Sequence, residues 1–304
     1  MARVFVSRAV SGAALDQLRG AHDVIVWEGA APPGPADLRA ALAEADGLLC
    51  MLSDRIDSDL LDAAPKLRAV ANYAVGSDNI DLKATRARGI AVGTTPGVLT
   101  EATADLAFSL LLAAARRIPE AAAAVRAGAW RVYEPARWLG VECAGATLGI
   151  VGFGRIGQAV ARRAEGFSMK VLATRQTPLE ELLERSDFVS LHCPLTPETH
   201  HLIDAAALAR MQPTAILINT ARGAVVDQPA LIAALHAGTI AGAALDVTDP
   251  EPPASDDPLL SAPNLLIAPH IGSATRTTRA RMTELAVANL LAALDGQPMP
   301  HPAT

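Results

Sequence analysis

Short apolar runs alternate with amphipathic stretches along most of the chain. Up to residue 93, the apolar runs predict strands at 3–6, 23–27, 47–52, 67–72 and 90–92. Beyond residue 145, they predict strands at 147–151, 170–174, 188–191, 215–219, 241–246 and 265–268. Helical patterns separate these runs, as at 12–19, 36–45 and 58–63. Strands that alternate with helices in this way predict parallel, doubly wound sheets in an α/β fold.

Two longer helical patterns stand apart from this alternation. One begins at Thr100, which can cap a helix, and reaches about Arg117, with Pro119 just past its predicted end. It is apolar on nearly every side, so we expect it to be buried. The other covers 282–294, and Gly296 marks its C-terminal stop. We expect this last helix to return to the first set of strands.

One strand-to-helix junction carries a glycine pattern. The strand that ends at Val151 runs into Gly152-Phe153-Gly154-Arg155-Ile156-Gly157, and a helical pattern follows. In a βαβ unit this is a dinucleotide-binding fingerprint: Gly152 permits the tight turn, Gly154 lets the backbone approach a pyrophosphate, and Gly157 lets helix and strand pack closely. The helix N-terminus, with Arg155 and Ile156, offers N–H groups to phosphates. An ordinary glycine-rich turn is the alternative.

Length, composition and charge indicate the size of the fold and which kinds of binding partner are unsuitable. The chain has 304 residues, enough for two domains, and it is 51% hydrophobic but only 3% aromatic, which predicts a core of Ala, Leu, Val and Ile. The net charge is −6 and no basic run is present. Both observations argue against nucleic acid as a partner.

Cysteine usage and the apolar stretches predict the compartment. Cys50, Cys143 and Cys193 lack metal-ligand spacing, so we expect no metal site, and their sparse, odd number fits a reducing environment. The segment at 3–6 resembles a strand rather than a signal peptide, and the longest apolar stretch, 106–115, is too short to span a bilayer. We therefore expect a cytoplasmic protein without a membrane partner.

Three chemically distinct side chains follow three strands of the second set. Arg222 follows the strand at 215–219, Glu251 follows the next, and His270 follows the last. Open α/β sheets bind ligands at the carboxyl ends of their strands, so we expect these side chains to share one site. Taken singly, each has an ordinary structural explanation, as a surface cation, a loop carboxylate or a turn histidine.

Together the three side chains match the requirements of 2-oxo acid reduction. Arg222 can bind a carboxylate through two parallel hydrogen bonds and polarise the adjacent carbonyl. His270 can give the carbonyl oxygen its proton. Glu251 can hold one imidazole N–H and favour the protonated ring. With a nicotinamide as hydride donor, this set predicts an NAD(P)-dependent oxidoreductase.

The chain resembles the D-isomer-specific 2-hydroxyacid dehydrogenase family over nearly its whole length. The resemblance rests on the motifs at 151–157, 191–199, 219–223 and 269–272. It implies a catalytic triad of Arg222, Glu251 and His270. It also implies a central Rossmann NAD(P)-binding domain (99–271) inserted in a flavodoxin-like substrate domain (1–98 and 272–304).

Within the family, the chain looks most similar to glyoxylate/hydroxypyruvate reductases, through the motifs at 245–252, 268–275 and 289–294. This likeness implies reduction of glyoxylate or hydroxypyruvate to the 2-hydroxy acid, with D stereochemistry where the product is chiral. It also implies that Arg222 is joined in substrate binding by Leu52, Ser53, Val75, Gly76 and Trp138. The implied cofactor contacts outside the glycine motif are Thr103, Thr174, Arg175, Pro194, Thr199, Thr220, Ala221, Asp246 and Gly272.

Trp138 resembles a tryptophan that, in this subfamily, reaches into the active site of the partner subunit. The resemblance therefore implies a homodimer. A hydrophobic anchor at the dimer interface, without a substrate role, is the alternative for Trp138.

The residues after the second strand of the glycine-motif unit indicate which nicotinamide is bound. An NAD-binding unit usually carries an acidic residue there, but this chain has Thr174-Arg175-Gln176-Thr177. An arginine can accommodate a 2′-phosphate, so NADP(H) is favoured, with NAD(H) as the alternative. Compared with the usual size of such a unit, about fifteen residues are absent after Arg175. We therefore expect an open adenosine pocket.

Several other activities stay open at this point. D-lactate-type, glycerate and phosphite dehydrogenases share the scaffold, whereas formate enzymes carry Gln in place of Glu251. A non-catalytic NAD(P)-sensing regulator is a further alternative, because fold alone does not establish activity. An intact set of Arg222, Glu251 and His270 argues against a pure sensor.

Overall fold

The computed structural model describes residues 1–10 and 12–303. In chain order, the strands are β1 (Arg3–Val6), β2 (Asp23–Val26), β3 (Gly47–Cys50), β4 (Ala69–Asn72), β5 (Ala91–Gly93), β6 (Thr147–Val151), β7 (Lys170–Ala173), β8 (Phe188–Leu191), β9 (Ile216–Asn219), β10 (Gly242–Leu245) and β11 (Leu265–Ile267). The helices are α1 (Ala14–Ala21), α2 (Pro35–Leu42), α3 (Ser58–Asp62), α4 (Leu82–Ala87), α5 (Thr100–Ala115), α6 (Ile118–Arg126), α7 (Arg155–Glu165), α8 (Leu179–Arg185), α9 (Ala205–Arg210), α10 (Gln228–Ala237) and α11 (Arg276–Leu294).

The chain divides into two compact units. Unit 1 comprises Met1–Leu99 and Ser273–Thr304, and unit 2 comprises Thr100–Gly272. Each unit contains one sheet whose named strands pair in parallel, with helices between the strands. The fold class expected from the alternating pattern is therefore confirmed: two α/β units of doubly wound parallel sheet. No helix in the described part of the chain is both long and apolar enough to cross a membrane.

Unit 1 has the strand order β2-β1-β3-β4-β5, which is the flavodoxin-like order. Helix α11, from the C-terminal end of the chain, packs against α1 and against β3, β4 and β5. The last helix thus belongs to the unit formed by the N-terminal strands. It begins at Arg276, several residues earlier than the sequence predicts, because the Thr275 side chain caps it by accepting from the Thr278 N–H (3.1 Å).

Unit 2 has the strand order β11-β10-β9-β8-β6-β7. The order reverses at β6, since β7 lies on one side of it and β8 on the other, so the turn after β6 lies at a topological switch point. Within the described residues β7 is an edge strand, whereas the standard Rossmann order places a further strand beyond it. Only Thr174–Pro178 separate β7 from α8, which is why no such strand forms.

The sheet of unit 2 is covered on both faces. Successive strand residues point to opposite sides: Phe188 packs in the core with α5 and α7, while Val189 packs in the core with α8, α9 and α10. Both side chains are fully buried. A strand buried on both faces needs apolar residues at every position, which explains the continuous apolar runs in the sequence.

The region around Arg117 differs from its prediction. Helix α5 ends at Ala115, and Arg117 takes a left-handed backbone conformation (φ 51°) that starts the second helix α6. Pro119 lies in the first turn of α6, where its missing N–H costs nothing, rather than beyond the end of a single helix. Within unit 2, α5 is largely buried, as its apolar sequence predicts, apart from a stripe of Glu101, Asp105 and Ser109.

Candidate active site

The glycine motif forms the tight turn between β6 and α7. Gly152 has φ 93°, and a Cβ atom there would lie 2.4 Å from the backbone nitrogen of Cys193. A Cβ on Gly157 would lie 2.3 Å from the carbonyl oxygen of Gly152. Side chains are therefore excluded at both positions, at the first by backbone geometry and close packing, and at the second by the contact of α7 with the turn.

The N-terminus of α7 can receive the phosphates of a dinucleotide. Gly154 is the N-cap residue, and a Cβ built there would meet no atom within 4 Å. Arg155 and Ile156 form the first helical positions, and no acidic residue lies in the first turn. Open space, uncapped N–H groups and the positive end of the helix dipole fit an anionic cofactor.

The end of β7 lies beside this turn. The Thr174 hydroxyl oxygen accepts a hydrogen bond from the Gly152 N–H (3.1 Å), so Thr174 supports the glycine turn. Arg175 follows on an exposed turn, which closes through N–H groups of Gln176 and Thr177 that both donate to the Ala173 carbonyl (2.9 Å each). Arg175 thus projects from the sheet edge with no carboxylate among its immediate chain neighbours.

The loop after β8 carries Pro194 and Thr199. The Thr199 hydroxyl accepts from the Thr196 N–H (2.8 Å) and donates to the Pro194 carbonyl (2.6 Å). The two predicted cofactor residues of this loop are therefore joined directly, and the hydroxyl closes the loop.

His192, in the same loop, connects β8 to the neighbouring strand end. Its Nε2 lies 2.8 Å from the Ser190 hydroxyl and its Nδ1 lies 3.4 Å from the Thr220 hydroxyl. Loss of water around the ring lowers the pKa of His192 to about 4. The ring is therefore neutral near pH 7 and acts as a bridge between two hydroxyl groups.

The loop after β9 presents Arg222. The side chain of Asn219 holds this loop: its Oδ1 accepts from the Ala221 N–H (2.9 Å) and its Nδ2 donates to the Arg222 carbonyl (2.8 Å). A Cβ on the following residue, Gly223, would lie 2.0 Å from the Thr248 carbonyl oxygen. Only glycine allows the Arg222 loop to lie so close to the loop that follows β10.

Glu251 and His270 are in direct contact. Glu251 Oε1 lies 2.5 Å from His270 Nδ1, and Glu251 Oε2 accepts from the Thr248 N–H (3.4 Å). The two side chains are partly exposed, at 39% and 30% respectively. Glu251 thus fixes the orientation of the ring through Nδ1.

Asp246 shapes the turn that carries His270. Its two carboxylate oxygens accept from the N–H groups of Ile271 and Gly272 (2.7 Å each). Burial raises the pKa of Asp246, while these two N–H donors act in the opposite direction. A Cβ on Gly272 would touch Asp246 (3.2 Å) and Thr103 (3.3 Å), so three predicted cofactor residues lie together.

The predicted substrate residues of unit 1 lie at the carboxyl ends of two adjacent strands. Leu52 and Ser53 follow β3, and Val75 and Gly76 follow β4. Ser53 is exposed and Val75 is 41% exposed, so both can reach a ligand.

Two asparagines hold these loops of unit 1 together. Asn79 Nδ2 donates to the carbonyls of Met51 (3.1 Å) and Asp54 (3.0 Å). Asn72 Nδ2 donates to the Gly76 carbonyl (2.8 Å) and to Asn79 Oδ1 (2.9 Å). The backbone at Gly76 is therefore fixed by side chains rather than by a regular element.

The asparagines that shape these loops were not among the site residues predicted from the sequence. Asn72 and Asn219 each form the last residue of a buried apolar strand. A buried amide at a strand's carboxyl end must find hydrogen-bond partners, and the adjacent loop supplies them. An asparagine at the end of an apolar strand is therefore the sequence feature that could have predicted these loop contacts.

Known proteins resemble this chain over nearly its whole length. The family model described as "D-isomer specific 2-hydroxyacid dehydrogenase, NAD binding domain" matches residues 108–272. A glyoxylate reductase of Korarchaeum cryptofilum is 50% identical, over 98% of this chain and 95% of the relative. The chain belongs to the D-isomer-specific 2-hydroxyacid dehydrogenase family. As a member of this dehydrogenase family, it is an oxidoreductase with a nicotinamide cofactor.

Solved structures match this chain over nearly its whole length. A protein of Thermus thermophilus is 52% identical, with a TM-score of 0.93 over 99% of this chain and 100% of that one. An NADPH-dependent glyoxylate/hydroxypyruvate reductase of Sinorhizobium meliloti, solved with NADP and malonate, is 34% identical, with a TM-score of 0.87 over 100% of this chain and 97% of that one. The resemblance drawn from the sequence motifs is confirmed.

Proposed function

We propose that this dehydrogenase reduces a small 2-oxo acid, glyoxylate or hydroxypyruvate, to the corresponding 2-hydroxy acid, with D stereochemistry where the product is chiral. The observation that carries the proposal is the contact between Glu251 Oε1 and His270 Nδ1 at 2.5 Å, at the sheet edge from which Arg222 also projects. Several relatives named glyoxylate reductase, identical at 45–50% over nearly the full chain, support this substrate class.

In the proposed reaction, His270 is the general acid. Its Nε2–H gives a proton to the carbonyl oxygen of the substrate as the carbonyl carbon is reduced. Glu251 holds Nδ1, so the ring is fixed and its positive charge is balanced before the transfer. When bound, the reduced nicotinamide supplies the hydride.

Arg222 is proposed to bind the carboxylate of the 2-oxo acid. A planar guanidinium matches a carboxylate with two parallel hydrogen bonds and leaves positive charge beside the carbonyl. The asparagine-supported loop after β9 fixes the backbone from which the guanidinium projects. In unit 1, Leu52, Ser53 and the backbone N–H groups of Val75 and Gly76 are the proposed substrate contacts.

We propose NADP(H) as the favoured cofactor, with NAD(H) as a slower alternative. Arg175 is exposed on the turn after β7, and no acidic side chain precedes it there to hold ribose hydroxyls. The N–H groups at Gly154, Arg155 and Ile156 are proposed to bind the pyrophosphate, and Thr103, Asp246 and Gly272 the nicotinamide end. Thr174, Pro194, Thr199, Thr220 and Ala221 complete the proposed cofactor contacts.

We propose a homodimer built on α6 and the segment that follows it. Helix α6 has no buried residue, although most of its residues are apolar. Large apolar side chains on α6 and the following segment are more than half exposed: Ile118, Val125, Trp130, Val132, Tyr133 and Leu139. A concentrated apolar surface of this kind is typical of a subunit interface. A second copy of this chain is the proposed occupant.

The test measures reduction of a panel of 2-oxo acids with NADPH and with NADH. The loss of absorbance of the reduced nicotinamide monitors each reaction. We expect turnover with glyoxylate and hydroxypyruvate, and a preference for NADPH over NADH of about tenfold, as one additional ion pair with the 2′-phosphate would give. Cofactor binding without turnover would identify a sensor instead. Turnover confined to lactate-type, glycerate or phosphite substrates would identify a sister dehydrogenase.

A further inference from the structure

The loop that carries Glu251 has no regular structure of its own. Residues 249–257 lie between β10 and a short 3₁₀ helix (Pro258–Ser261), and they form neither helix nor strand. The residues at 249–252 and 254–256 are exposed. Exposed loops with few buried contacts open readily. Glu251 therefore keeps its place beside His270 because groups outside the loop hold it.

Gln228 binds both ends of this loop. Its Oε1 accepts from the Asp249 N–H (3.0 Å), two residues before Glu251, and its Nε2 donates to Asp257 Oδ2 (3.3 Å). The other carboxylate oxygen of Asp257 accepts from the Leu259 N–H (2.8 Å) at the start of the 3₁₀ helix. A carboxamide offers an acceptor oxygen and a donor nitrogen, so one glutamine side chain satisfies both ends. Glutamate would lack the donor.

Gln228 projects from a packed helix. It is the first residue of α10, and the Asp227 side chain caps this helix by accepting from the Ala230 N–H (3.1 Å). Leu231 and Leu235 anchor α10 in the core of unit 2. The position of the carboxamide is therefore set by the helix and not by the loop that it binds.

Thr248 transmits this restraint to the Glu251 side chain. The Thr248 hydroxyl donates to the Pro250 carbonyl (2.8 Å), and the Thr248 N–H donates to Glu251 Oε2 (3.4 Å). Glu251 Oε1 in turn lies 2.5 Å from His270 Nδ1. A continuous set of contacts thus runs from the first residue of α10, through the loop, to the imidazole ring.

We propose that Gln228 is a positioning residue for the reaction, because it holds both ends of the loop that keeps Glu251 against His270. This inference rests on the proposed function, in which His270 is the general acid. When the loop is released, the Glu251 carboxylate leaves the ring, and the ring no longer keeps the orientation that proton transfer needs. Gln228 acts through Glu251 rather than on the substrate.

The first experiment exchanges donor and acceptor between the two side chains. Gln228→Ala removes both contacts, Gln228→Glu sets a carboxylate against Asp257, and Gln228→Glu/Asp257→Asn places the donor on the opposite side chain. We expect kcat with glyoxylate and NADPH to fall about fivefold in Q228A and Q228E, as loss of one ordinary hydrogen bond would give. Q228E/D257N should return to within about twofold of wild type. Failure of this exchange to restore kcat would overturn the two-ended contact.

A double-mutant cycle separates positioning from general destabilisation. In a Glu251→Ala background, Q228A should lower kcat no further, because the side chain that Gln228 positions is gone. An equal loss in both backgrounds would overturn the proposal. If Q228A folds poorly, Asp257→Asn alone breaks the same contact and should lower kcat in the same direction.

Gln212→Ala is the matched control for these variants. Gln212 is another half-buried glutamine of unit 2, and its Nε2 donates to the Glu184 carbonyl (3.4 Å), away from the loop that carries Glu251. Q212A should retain the wild-type kcat. The dissociation constant for NADPH should stay at the wild-type value in every variant, because the glycine turn is untouched.

Hydrogen exchange tests the loop without turnover. In Q228A, backbone amides at 249–257 should exchange about fivefold faster than in wild type, because the Asp249 N–H loses its acceptor. Q228E/D257N should return to the wild-type exchange rate. Unchanged exchange in Q228A would overturn the proposal even if kcat fell. A wild type that reduces no 2-oxo acid but shows this exchange pattern would defeat the proposed function, while the loop contact itself would stand.

Discussion

At the scale of single residues, the proposed chemistry depends on a few side chains whose hydrogen-bond partners are fixed. Glu251 orients His270 through one ring nitrogen, and Asp246 holds the turn below it through two backbone N–H groups. His192 instead bridges two hydroxyls as a neutral ring. The two histidines both follow strands of the unit 2 sheet, yet His270 contacts a carboxylate, whereas His192 contacts hydroxyl groups.

Replacing His270 by Ala should lower kcat about a hundredfold or more, because the carbonyl oxygen loses its proton donor. The dissociation constant for NADPH should stay close to that of wild type, since the glycine turn is untouched. The exposed His236 at the end of α10 gives the matched control, His236→Ala, which should retain full turnover. Wild-type turnover in H270A would remove His270 from the mechanism.

Replacing Arg175 by Asp should shift cofactor preference toward NADH by about tenfold or more, because a carboxylate repels the 2′-phosphate and can hold ribose hydroxyls. Steady-state rates with each cofactor at fixed glyoxylate measure the shift. Arg39→Asp, at an exposed position on α2, makes the same charge change elsewhere and should alter neither rate. An unaltered preference in R175D would contradict the 2′-phosphate assignment.

The lowered pKa of His192 makes stability depend on pH. Unfolded histidine binds a proton near pH 6.5 and folded His192 only near pH 4, so the unfolded state binds more protons between these values and stability falls as pH falls. From pH 6.5 to pH 5 this loss should be about 2 kcal/mol. Urea unfolding at both pH values should show a smaller loss for His192→Gln, and equal losses would exclude this contribution.

At the scale of elements, close contacts between backbones decide the geometry of the site. Gly152, Gly157 and Gly223 each lie where a Cβ would approach a backbone atom to within 2.0–2.4 Å. These three contacts bring β6 against the β8 loop, α7 against the glycine turn, and the Arg222 loop against the Glu251 loop. The strand ends therefore converge because no side chain separates them.

Gly157→Ala should destabilise the protein by about 1–3 kcal/mol and weaken NADPH binding, because α7 must move away from the Gly152 carbonyl. Thermal unfolding and cofactor titration measure the two effects. Gly20→Ala provides the control, since this helical glycine in α1 has open space around it and alanine favours helix. A G157A protein with wild-type stability and affinity would show that the contact is not needed.

At the scale of the whole molecule, the exposed apolar surface of α6 and the following segment points to assembly. Charged substitutions at Val132 and Tyr133, which are 65% and 81% exposed, should break the proposed dimer. Light scattering should show a dimer for wild type and a monomer for Val132→Asp/Tyr133→Asp. Leu260→Asp, 51% exposed elsewhere in unit 2, should leave the mass unchanged. A monomeric wild type would contradict the dimer.

Much of this organisation could be predicted from sequence because it is set by local pattern. Apolar runs predicted both parallel sheets, and the glycine spacing predicted the turn after β6. The start of α6 could not be predicted in this way, because Arg117 adopts a left-handed conformation that the neighbouring sequence does not require. The edge position of β7 follows from the short connection to α8. The sequence did indicate this, because the usual longer segment after Arg175 is absent.

The sequence by itself determined which residue types stand at the carboxyl ends of which strands, since strand order along the chain and polar motifs are local properties. Only the tertiary structure decided which of them touch. Glu251 meets His270 across 19 residues of chain, and Gly223 meets Thr248, because three loops pack at one edge of the sheet. Such contacts depend on the close packing of distant backbone segments, and no window of sequence contains them.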